Sequence, residues 1–230
     1  KIKFKYQFKD YGLFPFNEDQ WIQEFSFFKK FKINPSSFLN LNGENAVNFE
    51  LGIHWNPMLF SSNCSLNIND AYFVGYGIQA DLKHKTEAFD SYTHLDVKDK
   101  WVIALSGYPK SFEQNNEYQY ESRFTNKAAI ARNLGAKGII FVNAESNGSL
   151  DNNYQSIDHS LSIPSFVVSR HSMEKVFLKN NLNLQEIMET HSNSPYPKIG
   201  FEIKDVGLTG KILISKEKSR CVNTIGRIPA

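Results

Sequence analysis

The clearest periodic signal lies at 124–143. Phe124, Ala128, Ala131 and Leu134 recur at helical spacing and mark one apolar face, and Gly135 supplies a stop signal just beyond it. The apolar run GIIFVN (Gly138–Asn143) follows at once and predicts a short strand, so a helix feeds directly into a strand. Upstream, WVIAL (Trp101–Leu105) is apolar at every position, the pattern of a strand buried on both faces. AYFVGYGI (Ala71–Ile78) reads as an aromatic strand whose Gly75 and Gly77 permit a bulge or a close backbone approach.

Elsewhere the pattern is mainly extended. Trp21–Ile33 is rich in aromatic and β-branched residues and predicts a strand, Asn34-Pro35 breaks it, and Phe38–Gly43 resumes the alternation. Phe49–Ser62 is a further extended run interrupted by Pro57, and Ile163–Ser169, Ile199–Ile203, Gly210–Ser215 and Cys221–Pro229 complete the strands. At the N-terminus, Phe4, Phe8 and Tyr11 at i, i+4 and i+7, with Gly12 beyond, predict the tail of a helix ending near Tyr11. Ser172 is expected to cap a short helix carrying Met173, Val176 and Phe177, and Asn183 another carrying Leu184, Ile187 and Met188. Strands dominate and helices are few. The fold class is α+β.

Composition narrows the function classes. The 230 residues are 41% hydrophobic with 19 Phe and 10 Tyr, which indicates a folded core, not a disordered tail. A net charge of +2 is nearly balanced and argues against a nucleic-acid partner, whose footprint needs clustered excess Lys and Arg. No apolar run approaches the ~20 residues needed to cross a bilayer, so no transmembrane segment is expected.

Catalytic constellations are sparse. The six histidines form neither HExxH nor His-x-His, there is no G-x-S-x-G elbow, and Asp158-His159 is adjacency without a relay. Asp90, Tyr92, Asp96 and Asp99 sit in an acidic loop, yet Lys83, Lys85, Lys98 and Lys100 offset them and the EF-hand spacing is missing, which favours a solvated loop. Cys64 and Cys221, the only cysteines, are too far apart for a CxxC motif and read as two separate small residues. Asn63-Cys64-Ser65 and Asn147-Gly148-Ser149 match the glycosylation sequon. The polar loop Tyr108–Arg123 is the interaction candidate. It carries Tyr108, Phe112, Tyr118, Tyr120 and Arg123, and Tyr with Arg is enriched at recognition surfaces. The competing reading is a loop whose aromatics cover the helix beneath it.

The ordered series FVGYGI, the DVKDK loop, WVIAL and the A-x-x-x-GA-x-G-II turn resembles the protease-associated (PA) domain. The flanks add to this. YQFKDYGLFPF…WIQEFSF (Tyr6–Phe27) resembles the end of the first helix and following strand of clan MH zinc aminopeptidases, relatives of glutamate carboxypeptidase II and of bacterial secreted aminopeptidases. VNTIGRIPA (Val222–Ala230) resembles the strand by which such a chain returns to its peptidase domain.

The resemblance implies a strand-dominated sandwich or open barrel with a few flanking helices. Its domains would be an N-terminal flank of the host peptidase over 1–60, the PA domain over 61–205 and return strands over 206–230. It implies a non-catalytic insertion that caps the active-site cleft of a secreted, periplasmic or cell-surface zinc aminopeptidase and influences substrate access or protein interaction. Partners would be the host peptidase domain and a peptide or protein substrate. This chain would bind no cofactor and catalyse nothing. Zinc would belong to the catalytic domain, whose His-x-Asp strand, further ligands and Glu base would follow Ala230. A bond between Cys64 and Cys221, joining the strands that enter and leave the insertion, is the alternative to two separate thiols and needs an oxidising compartment. The alternative function is a stand-alone or receptor-type binding module from a catalytically dead relative.

Overall fold

The structure is a computed structural model that describes residues 2–43, 46–80, 89–110, 120–144, 150, 161–193 and 200–228. The chain divides into two compact units. Unit 1 combines 1–32 with 216–230, and unit 2 is the continuous stretch 33–215. Unit 2 is therefore an excursion between two segments that fold together. Phe38–Leu41, Val47–Phe49, Trp55–Pro57 and Leu208–Ile212 supply strands to the sheets of unit 2.

Unit 2 is built on a six-stranded sheet. Its centre is four parallel strands, β7 (Ala71–Phe73), β10 (Trp101–Leu105), β11 (Gly138–Val142) and β12 (Ser165–Val168). Antiparallel edges are added by β13 (Phe201–Ile203) on β7 and β5 (Trp55–Pro57) on β12. All residues of β10, β11 and β12 are buried, as continuous apolar runs require when both faces are covered.

Alternate residues face opposite layers. Val102, Ala104, Ile139, Phe141 and Val167 share a core with Phe124, Ala128 and Ala131 of α2 (Phe124–Asn133), where the rings of Phe124 and Phe141 lie 4.5 Å apart. α3 (Arg170–Lys179) and α4 (Leu184–Asn193) cover Phe73, whose ring meets Phe177 at 5.7 Å and His191 at 5.1 Å, both edge-on. A second, antiparallel sheet has the order β4 (Val47–Phe49), β3 (Phe38–Leu41), β14 (Leu208–Ile212), β6 (Cys64–Ile68).

Helix ends follow the residues. Gly135, at φ +82°, ends α2 with Gly135 N donating to Arg132 O and Ala136 N to Ala131 O, the paired bonds of a left-handed cap. The same pair closes α1 (Ile2–Asp10) at Gly12, φ +74°, as expected from the stop signals. Asn183 caps α4, its Oδ1 accepting from Gln185 N and Glu186 N. For α3 the expected cap shifts. Ser169, not Ser172, accepts the bond, from Ser172 N at 3.2 Å, and Ser172 is buried in the first turn.

Two strand expectations change, and one strand is new. AYFVGYGI is a strand only over Ala71–Phe73, because Gly75 (φ +56°) and Gly77 (φ +65°) turn the chain. Phe49–Ser62 splits into β4 and β5 around a turn at 51–54. β6, which the sequence reading did not identify, pairs with β14.

Unit 1 is small. In it α1 precedes β1 (Phe14–Pro15), which pairs antiparallel with β16 (Gly226–Arg227), and Trp21 is its one buried hydrophobic side chain among the described residues. Phe8, Leu13 and Trp21 crowd Gly226, where an added Cβ would meet Phe8 at 3.0 Å and Leu13 at 3.2 Å. β2 (Ile22–Ile33) and β15 (Ile214–Thr224) form a two-stranded ribbon, and in unit 2 β8 (Gln79–Ala80) pairs antiparallel with β9 (Phe89–Asp90).

Candidate functional site

The carboxyl ends of the parallel strands gather several turns. Leu105 N donates to Gly75 O at 2.7 Å, Ser106 N to Val142 O at 2.8 Å, and Ala144 N to Ser106 Oγ at 2.8 Å. Gly75 and Gly77 are required here for space as well as for their positive φ. A Cβ at Gly75 would lie 2.8 Å from His191 Nδ1, and one at Gly77 3.0 Å from the Ala104 Cβ.

Lys127 lies under these turns, fully buried on the sheet-facing side of α2. Its Nζ donates to Leu105 O at 2.8 Å and Gly107 O at 2.6 Å and sits 5.7 Å from the Tyr76 ring centroid. Burial holds this amine well below the ordinary lysine range, because the cation has left water for two carbonyl dipoles and a ring face. Burial also raises the Tyr76 phenol, an effect opposed by its hydrogen bond with Ser192. Lys127 escaped the sequence reading, although its position three residues after Phe124 puts it on the apolar face.

The loop that leaves this edge contains the interaction candidates. Tyr108 is half-buried beside the buried Pro109, and Phe112 and Tyr118 lie outside the described residues. Tyr120 and Arg123 are brought together at the start of α2. The guanidinium carbon stands 4.8 Å over the Tyr120 ring, Arg123 N donates to Tyr120 O at 3.2 Å, and Asn126 Nδ2 donates to the same carbonyl at 2.8 Å. Tyr120 remains 55% exposed, so the pair is an exposed aromatic and cation held by a local turn.

The acidic loop is tied to its own backbone. Asp90 Oδ1 accepts from Tyr92 N at 2.8 Å and Gln79 Nε2 at 3.1 Å, and Asp96 Oδ1 accepts from Lys98 N at 3.1 Å. Tyr92 is buried in the core, and burial, with the nearby Asp90 carboxylate adding to it, raises its phenol. His54 Nδ1 accepts from Glu50 N at 2.9 Å, and His84 and His159 lie outside the described residues. No group of three or more ligating side chains occurs among the described residues, so the zinc implied by the resemblance finds no donor set in them. No described helix is long and apolar enough to cross a membrane.

Cys64 and Cys221 are both free thiols, in β6 of unit 2 and β15 of unit 1 respectively. Burial pushes the Cys64 thiol up to about 11, which makes it a poor nucleophile. Asn63, in the first sequon, has both amide atoms engaged: Oδ1 accepts from Ile214 N at 2.7 Å and Nδ2 donates to Ile214 O at 3.3 Å. Asn147 lies outside the described residues.

Three solved structures similar to this chain are peptidases by their names. An aminopeptidase from Aneurinibacillus sp. strain AM-1 aligns over 96% of this chain and 40% of its own at 17% identity, with a TM-score of 0.50. BSAP, a zinc aminopeptidase from Bacillus subtilis, aligns over 100% of this chain and 40% of its own at 13% identity and TM-score 0.43. A peptidase M28 precursor from Shewanella amazonensis SB2B aligns over 95% and 42% at 9% identity and TM-score 0.42. The chain thus spans about two fifths of the length of these structures, and the first likeness bears on fold alone. No curated protein matches the sequence. The profile of the PA domain family matches residues 62–176, half of the chain and wholly within unit 2. On that match, the chain belongs to the PA domain family.

Proposed function

We propose that this chain is the PA insertion of a secreted zinc aminopeptidase, together with the parts of the host domain that flank it. The observation that carries the reading is topological. Residues 1–32 and 216–230 form one unit, with β1 paired to β16, while the PA match lies in the stretch between them. A module inserted into a host domain must leave and return at neighbouring points. The insertion catalyses nothing, and zinc-dependent peptide-bond hydrolysis belongs to the host domain. Its own task is to cap the cleft and bias which peptides enter, through the loop that carries Tyr108, Tyr120 and Arg123. A loop on a rigid sheet suits that task because the scaffold fixes its ends.

The test uses the parent polypeptide. It should hold zinc after dialysis and hydrolyse aminoacyl reporters. Replacing residues 33–215 by a short linker should keep hydrolysis of a small reporter but change the preference among longer peptides. A parent with neither zinc nor hydrolysis would instead support a receptor-type binding module.

A further inference from the structure

The segment that carries Tyr108, Tyr120 and Arg123 leaves β10 and returns at the start of α2, and Lys127 is bonded at both ends of it. Where the chain departs, Lys127 Nζ donates to Leu105 O at 2.8 Å and to Gly107 O at 2.6 Å. Where it returns, Lys127 N donates to Arg123 O at 3.1 Å, and Arg123 N donates in turn to Tyr120 O at 3.2 Å. The side chain thus fastens its own helix to a carbonyl 20 residues earlier. Beneath it, Nζ faces the Tyr76 ring of the Gly75–Gly77 turn at 5.7 Å, and Tyr76 is hydrogen-bonded to Ser192 of α4.

Packing alone does not call for a lysine here. Phe124, Ala128 and Ala131 are buried on the same helix, and a Met or Leu beside them would fill the space without taking an ammonium out of water. What the lysine adds is donors at the end of a long stem, delivered to carbonyls at the end of β10. Gly107 shows where they are needed. It adopts φ +72°, yet a Cβ there would meet nothing within 4 Å, so neighbouring side chains do not force the turn. Gly107 is itself exposed, and the bond from Nζ is its anchor on the buried side. The half-buried Tyr108 follows directly from that anchored turn.

We propose that Lys127 is a positioning residue, which fixes how Tyr108, Tyr120 and Arg123 are presented to a peptide without touching the peptide itself. The proposal rests on the reading above that these three side chains bias peptide choice, and it adds the buried group that sets their arrangement.

Backbone nitrogen relaxation on the 230-residue chain and peptide kinetics on the intact parent test it. In Lys127→Met, order parameters at Gly107 and Tyr108 should fall from about 0.85 to below about 0.6, while Trp101–Leu105 stays rigid. Gly107→Ala puts its Cβ in open space and should loosen Tyr108 in the same way, so it decides the matter if Lys127→Met does not fold. In the parent, either variant should shift the ratio of KM between long and short peptides at least about fivefold and leave kcat for each within about twofold. Tyr120→Ala with Arg123→Ala should add less than about twofold to that shift, because both changes act on one surface.

Rigid Gly107 and Tyr108 in Lys127→Met, or a rigid Tyr108 in Gly107→Ala, overturn the proposal. So does a loosened turn with an unchanged KM ratio, in a parent whose ratio does respond to Tyr120→Ala with Arg123→Ala. Fully additive shifts overturn it as well, since Lys127 would then act elsewhere. The underlying reading fails by a different result: a parent whose KM ratio ignores the Tyr120 and Arg123 substitutions removes the recognition role, and this proposal with it, whatever the relaxation data show.

Discussion

Unit 2 and unit 1 bury their apolar residues very differently. Unit 2 holds nearly all of the described core, including all of β10, β11 and β12, whereas unit 1 buries one hydrophobic side chain, Trp21. Yet unit 1 exposes Phe4, Tyr6, Tyr11, Phe14, Ile22, Phe25 and Ile228, seven of the eleven large hydrophobic side chains exposed among the described residues. Scattered exposed apolar residues are ordinary, but here they are concentrated beside a very small core. The contrast teaches that one unit has a core of its own, whereas the other has almost none, as the host-domain reading proposed above requires.

The largest expected effect lies in the unit that has a core. Phe141→Ala removes a fully buried ring packed on Phe124 and should cost about 3–5 kcal/mol in urea unfolding of the chain. Trp21→Ala should leave the main transition of unit 2 in place and abolish only the protection of α1 and β16. A shared loss of both units in Trp21→Ala would break the comparison.

Lys127→Met sharpens it inside unit 2. The carbonyls of Leu105 and Gly107 lose their donor, a cost of roughly 1–3 kcal/mol, partly offset because a buried cation is removed. The pH dependence carries a definite sign. The folded-state affinity of Lys127 for its proton is lowered, so between that lowered pKa and the ordinary lysine value the unfolded chain binds more protons. Stability from this group therefore rises with pH across that window, and below it the burial cost is fully present. Urea midpoints measured up to alkaline pH should show this upward contribution in the natural chain and lose it in Lys127→Met. An unchanged pH profile would mean that the amine is solvated.

Asn63→Ala should cost about 1–2 kcal/mol, since the two-way bond to Ile214 fastens the strand preceding the return to unit 1. The smallest effect is expected at the loop. Tyr120→Ala with Arg123→Ala breaks an exposed pair and should move the stability of the chain by no more than about 0.5 kcal/mol. In the parent the same double variant should alter peptide preference. Early unfolding with unchanged preference would make the pair local packing and nothing more.

The elements legible in the sequence are those whose signals are local. The face of α2 and its Gly135 stop, the apolar runs of β10 and β11, and the Asn183 cap each depend on residues within a few positions. β6 alternates correctly, with Leu66 and Ile68 inward, but Asn63 and Asn67 give it the look of a loop, and its partner β14 lies some 140 residues away. Gly75 and Gly77 were visible as special positions, but the sequence left a bulge and a close backbone approach equally open, and His191 and Ala104, which fill the space a Cβ would need, are distant in the chain. At the site, Tyr120 and Arg123 were visible only as an aromatic and a cation in one polar loop, and their contact is set by the turn before α2, where Arg123 N donates to Tyr120 O. Lys127 stayed hidden because a lysine on a helix is ordinarily read as solvated, and only the carbonyls of a separate strand explain its burial.

The central claim is that residues 33–215 form a domain that folds without the segments on either side of it. The chain enters and leaves unit 2 at neighbouring points, since Asn34 N donates to Leu213 O at 2.9 Å, so the stretch can be excised without separating its ends. Cooperative urea unfolding of the excised 33–215 segment, read together with amide exchange over β10 and β11, tests this directly. The account predicts one sharp transition and protection of Trp101–Leu105 and Gly138–Val142 equal to that in the 230-residue chain. A broad, non-cooperative transition with those strands exchanging freely would contradict it and make the flanking segments part of the PA core.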